Sequence, residues 1–252
     1  LLLLTTQISQ RDVQEIIKTR VLALDNFISD FERDAERAAA ISSFRGLVAM
    51  EQFVIENGTY FSSVEDTFED VFRNGTINGT LRPIMNLSTF EDYIIRVNEL
   101  ASAMNIFVNA TVTGVEITHV SPWDVKINVT MLMNVSDNTG LAEFVFEKSY
   151  ATILSVVTLH DPIYSVETKG KVINAIEPTD FTTLVIGNKT TNLSKHHEKS
   201  WYINTSRAPS YLMRFEGSLE SSPFGIESLV FLPDLDAQSI VVDLDKSVVD
   251  WH

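Results

Sequence analysis

The chain has 252 residues and no cysteine. That excludes disulfide staples, thiolate nucleophiles and cysteine-bound metal centres. It also lacks the phosphate-cradling GxGxxG and GxxxxGK[ST] loops, the GxSxG elbow and the HExxH helix. Positive charge is scarce. Against 34 Asp and Glu there are 19 Lys and Arg, for a net charge of −15. Such a surface repels nucleic acid and anionic lipid, and so excludes a nucleic-acid function. It suits a solvated exterior, with divalent cations as counter-ions. Proline is absent from Ser9 to Glu56, and Gly46 is the only glycine there. No stretch has the about 20 apolar residues that a bilayer span needs. The opening Leu1-Leu2-Leu3-Leu4 reads as the last turn of an apolar segment that was cut off or processed, or else as a plain apolar helix start. The apolar tail Val248-Val249-Asp250-Trp251-His252 suggests a natural protein that continues.

What is abundant is Asn-X-Ser/Thr. Ten of the fifteen asparagines are acceptors: Asn57, Asn74, Asn78, Asn86, Asn109, Asn128, Asn134, Asn188, Asn192 and Asn204. Ser and Thr number 45, so chance placement gives roughly three such triplets. The excess predicts export and N-glycosylation. A eukaryotic secreted chain would normally carry disulfides too. Acceptors without cysteine therefore point to the outer face of an archaeal cell.

The breaker-free stretch Ser9–Glu56 predicts one long helix. Ile17, Val21, Leu24, Ile28, Phe31, Ala35 and Ala38 are spaced 4, 3, 4, 3, 4, 3, an a/d seam, with the charges off it. Only part of such a helix packs on a domain of this size. The remainder meets a partner helix, a second subunit or a membrane-proximal neighbour; the alternative is a helix folded back on its own domain. Asn57-Gly58 ends it. A short helix, Val64–Phe72, follows Ser62 or Ser63 as cap, then a turn-rich loop at 74–80 and a third helix, Thr89–Met104, capped by Ser88.

Beyond Asn105 the period becomes two. Val108, Ala110 and Val112 alternate with Asn109, Thr111 and Thr113, and Val125, Ile127, Val129, Met131, Met133 and Val135 alternate with Lys126, Asn128, Thr130, Leu132 and Asn134. Asn128 and Asn134 fall on the polar phase. Leu141–Leu159 reads as a third strand, bulged or bent near Lys148. Turns at Ser121-Pro122 and 137–140 make the three a meander. Further on, Thr182–Ile186 and Ser239–Leu244 read as strands, Ile226–Leu232 as a strand or short helix, and Asn188–Glu198 as a polar loop. The fold class is therefore α+β: a long N-terminal helix, short helices and a C-terminal antiparallel β head. The organisation is 1–56 stalk, 57–106 glycosylated helical segment, 107–252 head.

Few constellations carry chemistry. His196-His197-Glu198 can offer two metal ligands, but adjacent strand residues point apart and the pair reads as a solvated loop. His160-Asp161 precedes Pro162 and reads as a turn. Asp234, Asp236, Asp243 and Asp245 give weak support for calcium; the glycine-containing loop of a dedicated site is missing. Trp123, Trp201, Tyr202 and Tyr211 read as packing before a sugar-stacking surface. No catalytic pair, cofactor site or metal site is selected, and covalent N-glycans are the only attached groups expected.

The helix-then-β-head organisation resembles archaeal type IV pilin-like proteins. Pro209-Ser210-Tyr211-Leu212-Met213-Arg214-Phe215-Glu216-Gly217, Gly225-Ile226-Glu227-Ser228-Leu229 and Lys246-Ser247-Val248-Val249-Asp250 likewise look like segments of archaeal surface proteins. The resemblance implies a non-enzymatic, extracellular filament subunit or membrane-anchored ectodomain. It would assemble with copies of itself or other pilin subunits through the seam Ile17–Ala38, and would meet the membrane through an N-terminal segment. A ligand-binding sensor domain is the alternative, and a secreted hydrolase a more distant one. The processing signal and most of the apolar segment of that family are missing from this sequence, and the helical part is larger than a simple major pilin needs.

Overall fold

A single helix, α1 (Leu2–Asn57), spans 56 residues; at 1.5 Å per residue it is about 84 Å long. The computed structural model describes residues 2–228, with side chains from Val13 onward. The apolar stripe of α1 is buried from Leu24: Leu24, Phe27, Phe31, Ala35, Ala39, Leu47, Met50 and Val54 are all at most 9% exposed. Nearer the N-terminus Val13, Ile16, Val21 and Leu22 are 37–52% exposed.

Helix α2 (Val64–Asn74) starts where Ser63 Oγ accepts the Asp66 N–H at 3.1 Å. It stops at Gly75, whose φ is +73°. A Cβ there would lie 2.9 Å from Met85 Cβ and Thr89 Cγ2, so glycine alone fits this turn. Strands β1 (Thr76–Ile77) and β2 (Thr80–Leu81) then pair across Asn78-Gly79, both left-handed, in the two-residue hairpin this dipeptide favours. Helix α3 (Phe90–Ala103) is capped by Thr89, not Ser88. Thr89 and Asp92 exchange hydrogen bonds in a capping box.

Three long strands follow: β3 (Ile106–Ser121), β4 (Asp124–Asp137) and β5 (Glu143–Ser155), an antiparallel meander in that order. Asp137 shapes the second turn. Its Oδ1 accepts the Ala142 N–H at 2.8 Å and its Oδ2 accepts from Thr139, bonds that hold its carboxyl below the ordinary value. The bulge or bend expected near Lys148 is not a bulge: β5 keeps continuous register with β4 there. The irregularities lie in β3, between Val112 and Gly114 and between His119 and Ser121. All six alternate residues from Val125 to Val135 are fully buried. α1 covers β4 and β5, and α3 covers β3. The opposite face of the sheet is left to solvent.

An aromatic ladder ties the layers. Phe68, Phe72, Phe90, Tyr93 and Phe31 follow one another at centroid spacings of 6.0, 5.0, 5.4 and 5.8 Å, and Phe31 meets Tyr150 of β5 edge-on at 6.2 Å.

Residues 156–228 form an irregular lobe on the C-terminal half of α1, with helices α4 (Pro162–Glu167), α5 (Thr191–Lys199) and α6 (Tyr211–Arg214) and the small pair β6 (Ile203–Asn204) and β7 (Ile226–Glu227). Thr182–Ile186 is not a strand; it contributes one bridge, Ile186 to Lys189, around Gly187-Asn188. The segment expected as a polar loop, Asn188–Glu198, is largely α5. Ser239–Leu244 and the part of Ile226–Leu232 beyond Ser228 lie outside the described residues. The chain is α+β. Its hydrophobic cluster runs without interruption through the three segments 1–56, 57–106 and 107–252, so the core has no seam at either boundary.

Candidate functional site

None of the ten acceptor asparagines is buried. Asn57, Asn74, Asn78, Asn86, Asn109, Asn188 and Asn204 are exposed; Asn128, Asn134 and Asn192 are half-buried. The strands explain three of them. Asn109 pairs with Asn134 across β3 and β4, and Asn128 lies opposite Glu116 and Ala151. All three therefore project from the solvent face of the sheet. The amides differ in what they do. Nδ2 of Asn57 donates to Phe53 O, that of Asn74 to Asp70, that of Asn134 to Glu143 Oε1 and that of Asn192 to Thr183 O, all at 2.8–2.9 Å. The Asn78, Asn86, Asn109, Asn128, Asn188 and Asn204 side chains make no hydrogen bond among the described residues.

The seam divides. Leu24, Phe31 and Ala35 are buried, while Ile28 and Ala38 pack at the edge of the core. Leu24, Phe31 and Ala35 are thus spent on the chain's own core, while Ile28 and Ala38 keep part of their surface exposed. Lys148 of β5 pairs with Glu32 beside them. Only Ile17 and Val21 precede the domain, on the same stretch as exposed Val13, Ile16 and Leu22. One 18-residue window within Val13–Asn57 reaches a mean hydropathy of 1.2, yet half of it is buried inside the protein.

Sequence reasoning missed the buried polar groups of the C-terminal lobe. Asp161 and Arg214, both 0% exposed, pair at 2.7 Å. Asp161 also accepts Tyr202 OH at 2.7 Å and the Ile163 N–H at 2.9 Å. Arg214 donates to Ile226 O and lies 5.8 Å from the centre of the Tyr202 ring. Asn174 Nδ2 donates to Tyr202 Oη at 3.0 Å. Burial first, and then the Asp161 carboxylate, push the Tyr202 hydroxyl well above its ordinary value. Closer to α1, Glu51 Oε1 accepts the His160 N–H at 2.7 Å and Tyr211 OH at 2.9 Å, with His160 Nδ1 3.4 Å from Oε2. Burial drives Glu51 up to about 7 despite both bonds. These groups clamp α1, α4, α6 and β7 together. The signals available were one arginine inside the aromatic run Tyr211–Phe215 and the helix-starting Asp161-Pro162.

The remaining expectations separate. His196 and His197 sit on α5, His196 fully buried, not in a solvated loop. Among the described residues no three His, Asp or Glu gather as a metal site. Asp234, Asp236, Asp243 and Asp245 lie outside those residues. Tyr202 and Tyr211 are core, while Trp123 and Trp201 are half-buried, so the four share no sugar-stacking surface. A groove of 420 Å³ does open between α1 and α3, floored by Phe27, Phe31, Tyr93 and Val97 and rimmed by Asp30 and Asp34.

No protein-family model, curated protein or solved structure matches this chain.

Proposed function

We propose that the chain is a non-enzymatic cell-surface subunit of an archaeon, pilin-like or membrane-anchored. It is held through the first third of α1 and presents an N-glycosylated head. The carrying observation is the change of character along α1. Val13, Ile16, Val21 and Leu22 stand in solvent and Ile17 is half-buried, whereas from Leu24 the apolar stripe is the spine of the head. A helix that keeps apolar residues outside its own domain is suited to bury them against another helix or an apolar phase. The placement of all ten acceptors off the core, and none before Asn57, supports a sugar-coated head beside a bare attachment segment. The attached groups are covalent glycans, and the partners are copies of the chain or other surface subunits.

The test is the mass of the full chain by light scattering across a concentration series, for wild type and Ile16→Glu/Val21→Glu. The wild type forms oligomers, and the double variant is monomeric with an unchanged unfolding midpoint. A wild type that stays monomeric, or an oligomer that survives the double substitution, overturns assembly through α1.

The α1/α3 groove favours a second reading, a ligand-binding sensor whose long helix carries the signal. Its apolar floor would take a neutral apolar ligand. Nile red fluorescence that rises with wild type and not with Val97→Asp supports this reading; equal signals sink it.

A further inference from the structure

We infer that Phe107, Asn109 and Thr111 form a seat for an N-glycan, in which the first sugar on Asn109 lies against the Phe107 ring and screens the solvent face of the sheet. The inference rests on the glycoprotein reading above and goes beyond it by naming the acceptor, the contact and its effect.

Strand geometry supplies the first argument. In β3, residues 107, 109 and 111 point the same way, and their partners on β4 are Ser136, Asn134 and Leu132, all on the solvent side. Two residues of rise put Phe107 about 7 Å from Asn109 along the strand, within reach of a sugar attached to the longer asparagine arm. The second argument is the ring itself. Phe107 is 52% exposed and has no polar atom to satisfy in water. The C–H face of a pyranose is apolar, and it covers an aromatic face as another hydrocarbon would. Third, the neighbours extend the platform. Leu132, opposite Thr111, is 45% exposed, and Val145, opposite Asn134, is 63% exposed. Phe107, Leu132 and Val145 thus surround the Asn109–Asn134 pair on three sides.

The fourth argument selects Asn109 over its neighbour. The two asparagines are paired in register, so their Cα atoms are about 5 Å apart, and two glycans would emerge from nearly one point. Asn134 Nδ2 already donates to Glu143 at 2.8 Å. The Asn109 amide has no such bond among the described residues, and no phenylalanine stands two residues before Asn134. Asn109 is the acceptor the face is arranged around.

The experiment uses the full chain made in a cell that transfers N-glycans. Glycopeptide mass spectrometry reads occupancy, and unfolding midpoints are compared for wild type, Asn109→Gln, Phe107→Ala and the double variant. Asn109 is occupied. Asn109→Gln lowers the midpoint by about 3 °C, the scale of one lost contact of this size in a chain of this length, and the loss disappears in the Phe107→Ala background. Sugar-to-ring NOEs at Phe107 give a readout that does not depend on stability. Modification elsewhere with Asn109 bare overturns the seat alone. No modification at any acceptor overturns the glycoprotein reading as well. Occupied Asn109 with the same loss in both backgrounds, or no NOE, overturns the stacking contact.

Discussion

Glu51 is the group whose titration should be felt by the whole fold. Its carboxyl is 5% exposed at the junction of α1 with the lobe that carries His160 and Tyr211. Burial raises it from the ordinary 4.5 to about 7, while hydrogen bonds from Tyr211 and His160 pull the other way. In the unfolded chain it releases its proton near 4.5; in the folded chain it holds the proton to about 7. Between those values the native state binds more protons. Stability from this group is therefore full below about pH 4.5, falls as pH rises and levels off above about 7. The gap amounts to about 3 kcal/mol, at about 1.4 kcal/mol per pKa unit. Glu51→Gln keeps an oxygen for the Tyr211 hydroxyl and the His160 N–H but has no proton to lose. Urea unfolding of both proteins at pH 5, 6, 7 and 8 isolates the effect, because groups that do not touch Glu51 are common to both. The stability of the wild type relative to Glu51→Gln should decline by about 3 kcal/mol from pH 5 to 8. Parallel curves, or a relative stability that climbs with pH, would refute a buried, proton-retaining Glu51.

Other substitutions test the remaining features. Arg214→Met leaves Asp161 buried without its cation and should cost about 3–5 kcal/mol in urea unfolding; Arg214→Met with Asp161→Asn should lose less than the two single losses summed. Leu24→Ala removes a fully packed side chain and should cost about 2–5 kcal/mol, whereas Ile16→Ala should stay within about 0.5 kcal/mol; similar losses at both would mean that the domain boundary on α1 is misplaced. In glycan transfer to the folded chain, Asn78, Asn86, Asn109, Asn128, Asn188 and Asn204 should be occupied ahead of Asn57, Asn74, Asn134 and Asn192, whose amides are engaged; glycopeptide masses that reverse this order would remove amide engagement as the determinant.

The elements most legible in the sequence are those whose period is set by one buried face. From Val125 to Val135 every second residue is apolar and buried, and Leu132 is the single apolar residue on the opposite phase. The same phase placed Asn128 and Asn134 outside correctly. The long helix could be read because nothing within it breaks a helix. What could not be read is the point at which its stripe leaves the domain. An a/d pattern suits a partner helix and the chain's own sheet equally, so Ile17 and Phe31 look alike in sequence although only Phe31 is core. The lobe at 156–228 was opaque for a different reason. Its order comes from contacts such as Asp161 with Arg214, 53 residues apart in the chain, held on short turns with no period. α5 has few apolar residues beyond Leu193, so it reads as loop; Leu184, Val185 and Ile186 read as strand but, among the described residues, have no neighbouring strand to join.

The continuity of α1 has a mechanical consequence. Any pull on its first residues travels down one unbroken helix into the middle of the head. There it loads the interface from Leu24 to Val54 along its length, in shear, so the packed layers must slip together. A tether attached at the rim of the sheet would peel those layers apart one at a time. Under a pull on α1, the head yields only when its core does.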